Sequence, residues 1–190
     1  MLLWREKIPE SWLPQIRANI PAVLIDHAYL ERKAATAALN LEKYEELHDY
    51  IADLNLIAIE ELQHFSQVLE LLRKRGIKFG APRRSPWISG MMNAVRKGRK
   101  QQAIDHLVVC ALIEGRSCEK FQILAQGLRD LDPQLADFYA SLVESEGNHY
   151  ATYLIMARHV DLPETERRLE FFLQLDAELI RHPNPLPMLH

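Results

Sequence analysis

Only two cysteines, seven glycines and no long apolar run occur among the 190 residues. Each shortage removes a class of protein. Cys110 and Cys118 are too few for a disulfide framework, match no zinc-binding spacing and are not the paired cysteines of a rubredoxin-type centre. No stretch approaches the roughly 20 uninterrupted apolar residues of a membrane span, and the opening MLLWREKIPESW is charged by its fifth position, unlike a signal peptide. Low glycine, the absence of low-complexity stretches and a hydrophobic share of 48% point away from disorder. The expectation is one domain over 1–190, in the cytoplasm and away from membranes. Acid is also missing, but only locally. Between Leu71 and Ile104 there are ten Lys or Arg and no Asp or Glu, which leaves 13 basic against 26 acidic residues elsewhere. A basic stretch on an acidic body suggests contact with a polyanion.

Most of the chain is rich in Ala, Leu, Glu, Lys and Gln, which favour helix. Four long helices are expected, from about Pro21 to Asn40, Asp49 to Gly76, Lys100 to Gly127, and Pro133 to His159. Asp132-Pro133 supplies a capping side chain followed by proline at the first helical position. A fifth helix follows Pro163, over about 163–181, and the prolines of HPNPLPMLH end regular helix at 182–190. Between the second and third long helices lies GIKFGAPRRSPWISGMMNAVRKG, with four glycines and two prolines, a long crossover with room for a short helix. Two short turns and one long crossover describe an all-α four-helix bundle over about 20–160.

Glutamate stands three residues before histidine at Glu61/His64 and Glu146/His149. On a helix that spacing brings both side chains to one point beside the axis. A third such pair, Glu45/His48, shows that spacing alone is weak. Depth separates the three. Glu31 and Glu61 are equidistant from the first turn, and Glu114 and Glu146 from the turn at GLRDLDP, each about 22–24 Å away at 1.5 Å per residue. Each pair therefore sets a glutamate opposite an E-x-x-H at matching height, whereas Glu45 and His48 lie in a turn. Glu60 competes for His64 by four-residue spacing. The residue four before His149 is Ser145, so Glu61 is the expected ligand and Glu60 is expected to face a neighbouring surface. Glu31, Glu61, His64, Glu114, Glu146 and His149 would carry a charge of −4, which two divalent cations cancel; unmetallated, they are poor packing material. Ala34, Ala35, Ala38 and Gly115 leave space beside these ligands. Cys110 and Cys118 are expected to be inert thiols, and Tyr150 and Tyr153 to be core or boundary aromatics.

This arrangement resembles the ferritin-like di-iron carboxylate proteins. Within them LIDHAYLERKAA, EELQHFSQVLELL with RKRGI, IEGRSCEKF and FYASLVESEGNHYATYL are similar to the tRNA 2-methylthio-N6-isopentenyladenosine hydroxylases. The resemblance implies a ferritin-like bundle and two iron ions held by the six residues above. It implies O2 as co-substrate, electrons from a reductase or ferredoxin, and hydroxylation of the isopentenyl group of the modified adenosine beside the tRNA anticodon. Arg83, Arg84, Arg96, Lys97, Arg99 and Lys100 are then the expected RNA contacts, with Phe79 and Trp87 available to stack on bases. Competing readings are a ferroxidase or a peroxide-reducing protein of the same superfamily, or a metal-free RNA-binding bundle.

Overall fold

The computed structural model describes residues 4–81, 83–182 and 184–190. In chain order the elements are α1 (Trp12–Arg17), α2 (Ile20–Leu41), a 3₁₀ segment (Glu45–Tyr50), α3 (Ile51–Lys74), α4 (Pro86–Asn93), α5 (Arg99–Gly127), α6 (Pro133–Val160) and α7 (Leu162–Ile180). No strand occurs among the described residues. Helices α2, α3, α5 and α6 form the bundle as two hairpins, α2 with α3 and α5 with α6. Helix α7 packs on α4, α5 and α6.

Local chemistry sets the boundaries. The Asp132 carboxylate accepts from Leu135 N at 3.0 Å and starts α6, with Pro133 at its first turn. Asp161 does the same for α7 through Glu164 N at 3.0 Å, and Ser85 for α4 through Ile88 N at 3.0 Å. Gly76 ends α3 at φ 63°, and Gly98 enters α5 at φ 105°; both are left-handed conformations that a side chain resists. The short helix expected inside the crossover is α4.

Two apolar cores fill the bundle. One joins Leu41, Leu47, Leu54, Ile57, Leu107 and Leu154 at the end where the 3₁₀ segment lies. The other joins Leu24, Val68, Leu72, Leu124 and Leu142 at the opposite end, with Trp12 and Leu189. On every bundle helix a short stretch between these cores carries buried charge. That interruption is the site.

Candidate metal centre

All six residues expected to be ligands are buried and meet between the two cores. Glu31 reaches in from α2, Glu61 and His64 from α3, Glu114 from α5, and Glu146 and His149 from α6. Two groups of potential ligand atoms form: Glu31, Glu61, His64 and Glu146, and then Glu61, Glu114, Glu146 and His149. Within each group the atoms lie within 4.8 Å of one another. Glu61 and Glu146 belong to both groups, so each can offer one oxygen to either side.

Both histidines turn Nδ1 inward. His149 Nδ1 lies 2.8 Å from Glu61 Oε1, and His64 Nδ1 lies 3.6 Å from Glu31 Oε2 and 3.7 Å from Glu146 Oε1. Most of these inward atoms are not satisfied by the protein. Both Glu61 oxygens, Glu146 Oε1, His64 Nδ1 and His149 Nδ1 are buried without a hydrogen-bond partner. Buried polar atoms are normally paired, and several orphans aimed at one point describe a place for cations. The donor set, carboxylate oxygen with imidazole nitrogen, suits iron or manganese.

Electrostatics agree. Burial and the neighbouring carboxylates of Glu114 and Glu31 push Glu61 and Glu146 well above the usual carboxylate range. Burial carries Glu114 up to about 7. Burial also works against ionised Glu31, but His27, through its charge and its hydrogen bond, outweighs it and holds Glu31 low. Burial lowers His149, which keeps its imidazole neutral and able to bind a cation. Without cations these carboxylates resist ionising together.

The outward nitrogens show a reciprocity that sequence reading missed. His149 Nε2 donates to Glu60 Oε2 at 2.6 Å, and His64 Nε2 approaches Ser145 Oγ at 3.4 Å. Each histidine is thus held by the residue four positions before the other histidine, on the facing helix. Glu60 does not merely face away: it stays half exposed while fixing the ring of His149. A polar residue directly before the glutamate of each E-x-x-H was the available signal. His27, four before Glu31 and hydrogen-bonded to it, was missed as well.

A cavity of about 360 Å³ leads to this layer. Glu31, Glu61, Glu114 and Glu146 lie at its inner end, Ala34, Ala37, Ile113 and Phe121 along its sides, and exposed Lys33, Asn40 and Lys43 at its mouth. Ala34 opens onto the cavity, whereas Ala35 and Ala38 pack in the core. Cys110 lines the cavity, yet burial pushes its thiol up to about 12, so it stays protonated.

The basic residues divide. Arg83, Arg84 and Lys97 are exposed and make no ion pair among the described residues. Arg96 is enclosed by Asp105 at 2.8 Å and Glu164 at 2.6 Å; Arg99 pairs with Glu45 at 2.9 Å and Lys100 with Asp161 at 2.9 Å. Trp87 is not free to stack on a base. It is buried, donates to Asp176 at 3.0 Å and stacks on His190. Phe79 stacks on Tyr29 at 4.6 Å. A signal for the Trp87 burial was weak, since its partner lies 89 residues away.

Comparison with known proteins points one way. A family model described as tRNA-(MS[2]IO[6]A)-hydroxylase (MiaE) matches residues 2–190. A relative from Pseudomonas putida, named tRNA 2-(methylsulfanyl)-N(6)-isopentenyladenosine(37) hydroxylase, is 37% identical over 178 residues, spanning 93% of this chain and 85% of its own. A relative of the same name from Salmonella typhimurium is 31% identical over 226 residues, spanning 93% and 83%. Among solved structures, one described as Protein 43 with aldehyde deformylating oxygenase activity from Synechococcus aligns with a TM-score of 0.92 at 30% identity, covering 100% of this chain and 96% of that one. With the family match spanning nearly every residue and two relatives above 30% identity, the chain belongs to the tRNA-(MS[2]IO[6]A)-hydroxylase family.

Proposed function

We propose that this protein hydroxylates the isopentenyl side chain of 2-methylthio-N6-isopentenyladenosine in tRNA, as an O2-dependent monooxygenase with two bound iron ions. The observation that carries this reading is the 360 Å³ cavity, mostly apolar along its sides, whose inner end is the layer of uncompensated carboxylates. Glu31, Glu61, His64, Glu114, Glu146 and His149 would hold the ions, with Glu61 and Glu146 shared between them. When bound, the ions supply activation of O2 with electrons from an external reductase or ferredoxin.

The protein's own groups do the rest. Glu60, Ser145 and His27 fix the orientation of ligands and so keep open the side facing the cavity. The apolar sides exclude water and seat a branched hydrocarbon chain against the layer. Lys33 and Lys43 at the mouth, with Arg83, Arg84 and Lys97 on the crossover, meet RNA phosphates. Arg96, Arg99 and Lys100 reach RNA only by leaving their acidic partners. We read 1–190 as one domain acting on tRNA in the cytoplasm; no helix among the described residues is long and apolar enough to cross a membrane.

Mass spectrometry of tRNA nucleosides tests the reading. Cells lacking the chain should lose the hydroxylated nucleoside, and the unaltered protein but not a Glu146→Ala variant should restore it. Unchanged hydroxylation without the chain would overturn it. For the RNA face, replacing Arg83, Arg84 and Lys97 together by glutamine should flatten the dependence of log K on log salt by about 2 for tRNA binding, with metal content intact. A second reading rests on the activity by which the Synechococcus relative is described. An apolar cavity ending on such a centre also suits an aldehyde with a short hydrocarbon chain. Conversion of an aldehyde by protein inactive on tRNA would favour it.

A further inference from the structure

Residues 184–190 form no helix, yet their last two positions are buried inside the bundle. Leu189 is 1% exposed and His190 6%. Both line the cavity that reaches the metal centre. They also line a second cavity, of about 150 Å³, which includes Trp12, Trp87, Leu179 and Met188. Together with Lys120 behind them, these two residues are the partition between the spaces.

The partition is held by polar groups from three helices. Leu189 N donates to Asp26 Oδ2 of α2 at 2.9 Å, and Lys120 Nζ of α5 donates to Leu189 O. His190 Nε2 meets Ser117 Oγ at 3.1 Å, and its ring stacks on Trp87 of α4 with centroids 5.2 Å apart. Further out, Trp12 Nε1 donates to Met188 O at 3.1 Å, and Gln15 donates to Asn184 O and Pro185 O. Asp26 and Lys120 are both buried, and burying two ionisable groups to hold one irregular peptide is costly where apolar packing would suffice. What the polar contacts add is a defined position.

We infer that Leu189 and His190 are specificity-determining residues: they close the inner wall of the side-chain cavity and limit the length of hydrocarbon admitted beside the metal centre. The inference rests on the reading of that cavity as the site of the substrate's prenyl group. A five-carbon group fits against the wall. A group twice as long, laid along the same side, runs into the wall unless the wall recedes and the second space joins the first. Ser117, Lys120 and Asp26 are positioning residues that act through the wall.

The test is equilibrium binding of two nucleosides, N6-isopentenyladenosine and N6-geranyladenosine, to the metal-loaded protein and to Leu189→Gly, His190→Ala and Leu189→Phe. The unaltered protein should prefer the shorter chain by at least tenfold. Leu189→Gly and His190→Ala should cut that preference at least tenfold by admitting the longer chain. Leu189→Phe, which advances the wall, should weaken the five-carbon compound and so moves opposite to a mere loss of packing. Metal content and unfolding temperature identify any variant that fails to fold, and Leu189→Phe then decides alone. Intact binding with an unchanged preference in every variant overturns the partition. Failure of both nucleosides to bind the unaltered protein overturns the cavity reading beneath it.

Discussion

Two kinds of buried charge sit on α5, a few residues apart. Around Asp105 and Arg116 every charge is matched. Asp105 accepts from the Arg96 backbone and guanidinium at 2.8–2.9 Å and from Arg168 at 2.7 Å, while Arg116 binds Asp176 of α7, with one contact at 3.0 Å, and also donates to Glu6 O at 2.9 Å. Around Glu114, between them in sequence, three more carboxylates and two imidazoles gather with only His27, beside Glu31, to match them, and inward atoms of Glu61, His64, Glu146 and His149 lack partners. Asp105, Arg116 and Asp176 are as deeply buried as the candidate ligands. The first cluster closes on itself and joins α4, α5 and α7; the second is complete only with a guest. Burial of charge alone is therefore no sign of a site, whereas burial of charge with unspent valence is.

The sharpest way to break this contrast is to cut one member from each cluster. Glu146→Ala removes a carboxylate common to both candidate ligand groups, so hydroxylation should fall by about a thousandfold or more while the fold persists. Retained activity would place the chemistry elsewhere. Asp176→Ala strands Arg116 in the interior and should cost about 3–5 kcal/mol of stability by denaturant titration, while protein that remains folded keeps its metal. A loss below about 1 kcal/mol would show that the pair is not what ties α7 down.

pH separates Glu114 from Asp105 by sign. Burial raises Glu114 to about 7 from 4.5, with Glu61 and Glu146 also high. A raised folded value favours the protonated form, so Glu114's contribution to metal-free protein is full below about 4.5 and roughly 3 kcal/mol of it is lost as the pH climbs to 7. Metal should abolish that loss. Asp105 runs oppositely: burial raises it, but the hydrogen bonds from Arg96 and Arg168 outweigh burial and hold it low. Its contribution is present above 3.8 and disappears as the pH falls further. A metal-free protein whose stability rises from pH 5 to 7 would contradict the account. The smallest effect belongs to Glu60→Gln, which weakens the hold on His149 and should lower metal affinity by about 10–100-fold in chelator competition. No change would make that contact incidental.

How much of this was legible beforehand follows from the range of each signal. The helices, the crossover and the level of the six candidate ligands depend on local periodicity and on distance from a turn; the structure has the helices and the crossover as expected and brings those six side chains together. The division of IEGRSCEKF was not legible. Glu114 faces the metal layer, Arg116 faces Asp176 some 60 residues on, and Ser117 and Lys120 face the segment that ends at His190. Those partners come from α7 and the tail, whose docking no local pattern encodes. The pairing within the basic stretch was illegible for a related reason. Composition counted ten cations, but only the fold shows that Arg96 is enclosed by Asp105 and Glu164.

The most direct measurement is anaerobic titration of metal-free protein with ferrous iron, read by calorimetry and by metal analysis after desalting. The account predicts about two ions per chain for the unaltered protein and loss of both in Glu61→Ala, since both positions share that carboxylate. Fewer than one ion per chain, or an unchanged stoichiometry in Glu61→Ala, would contradict it.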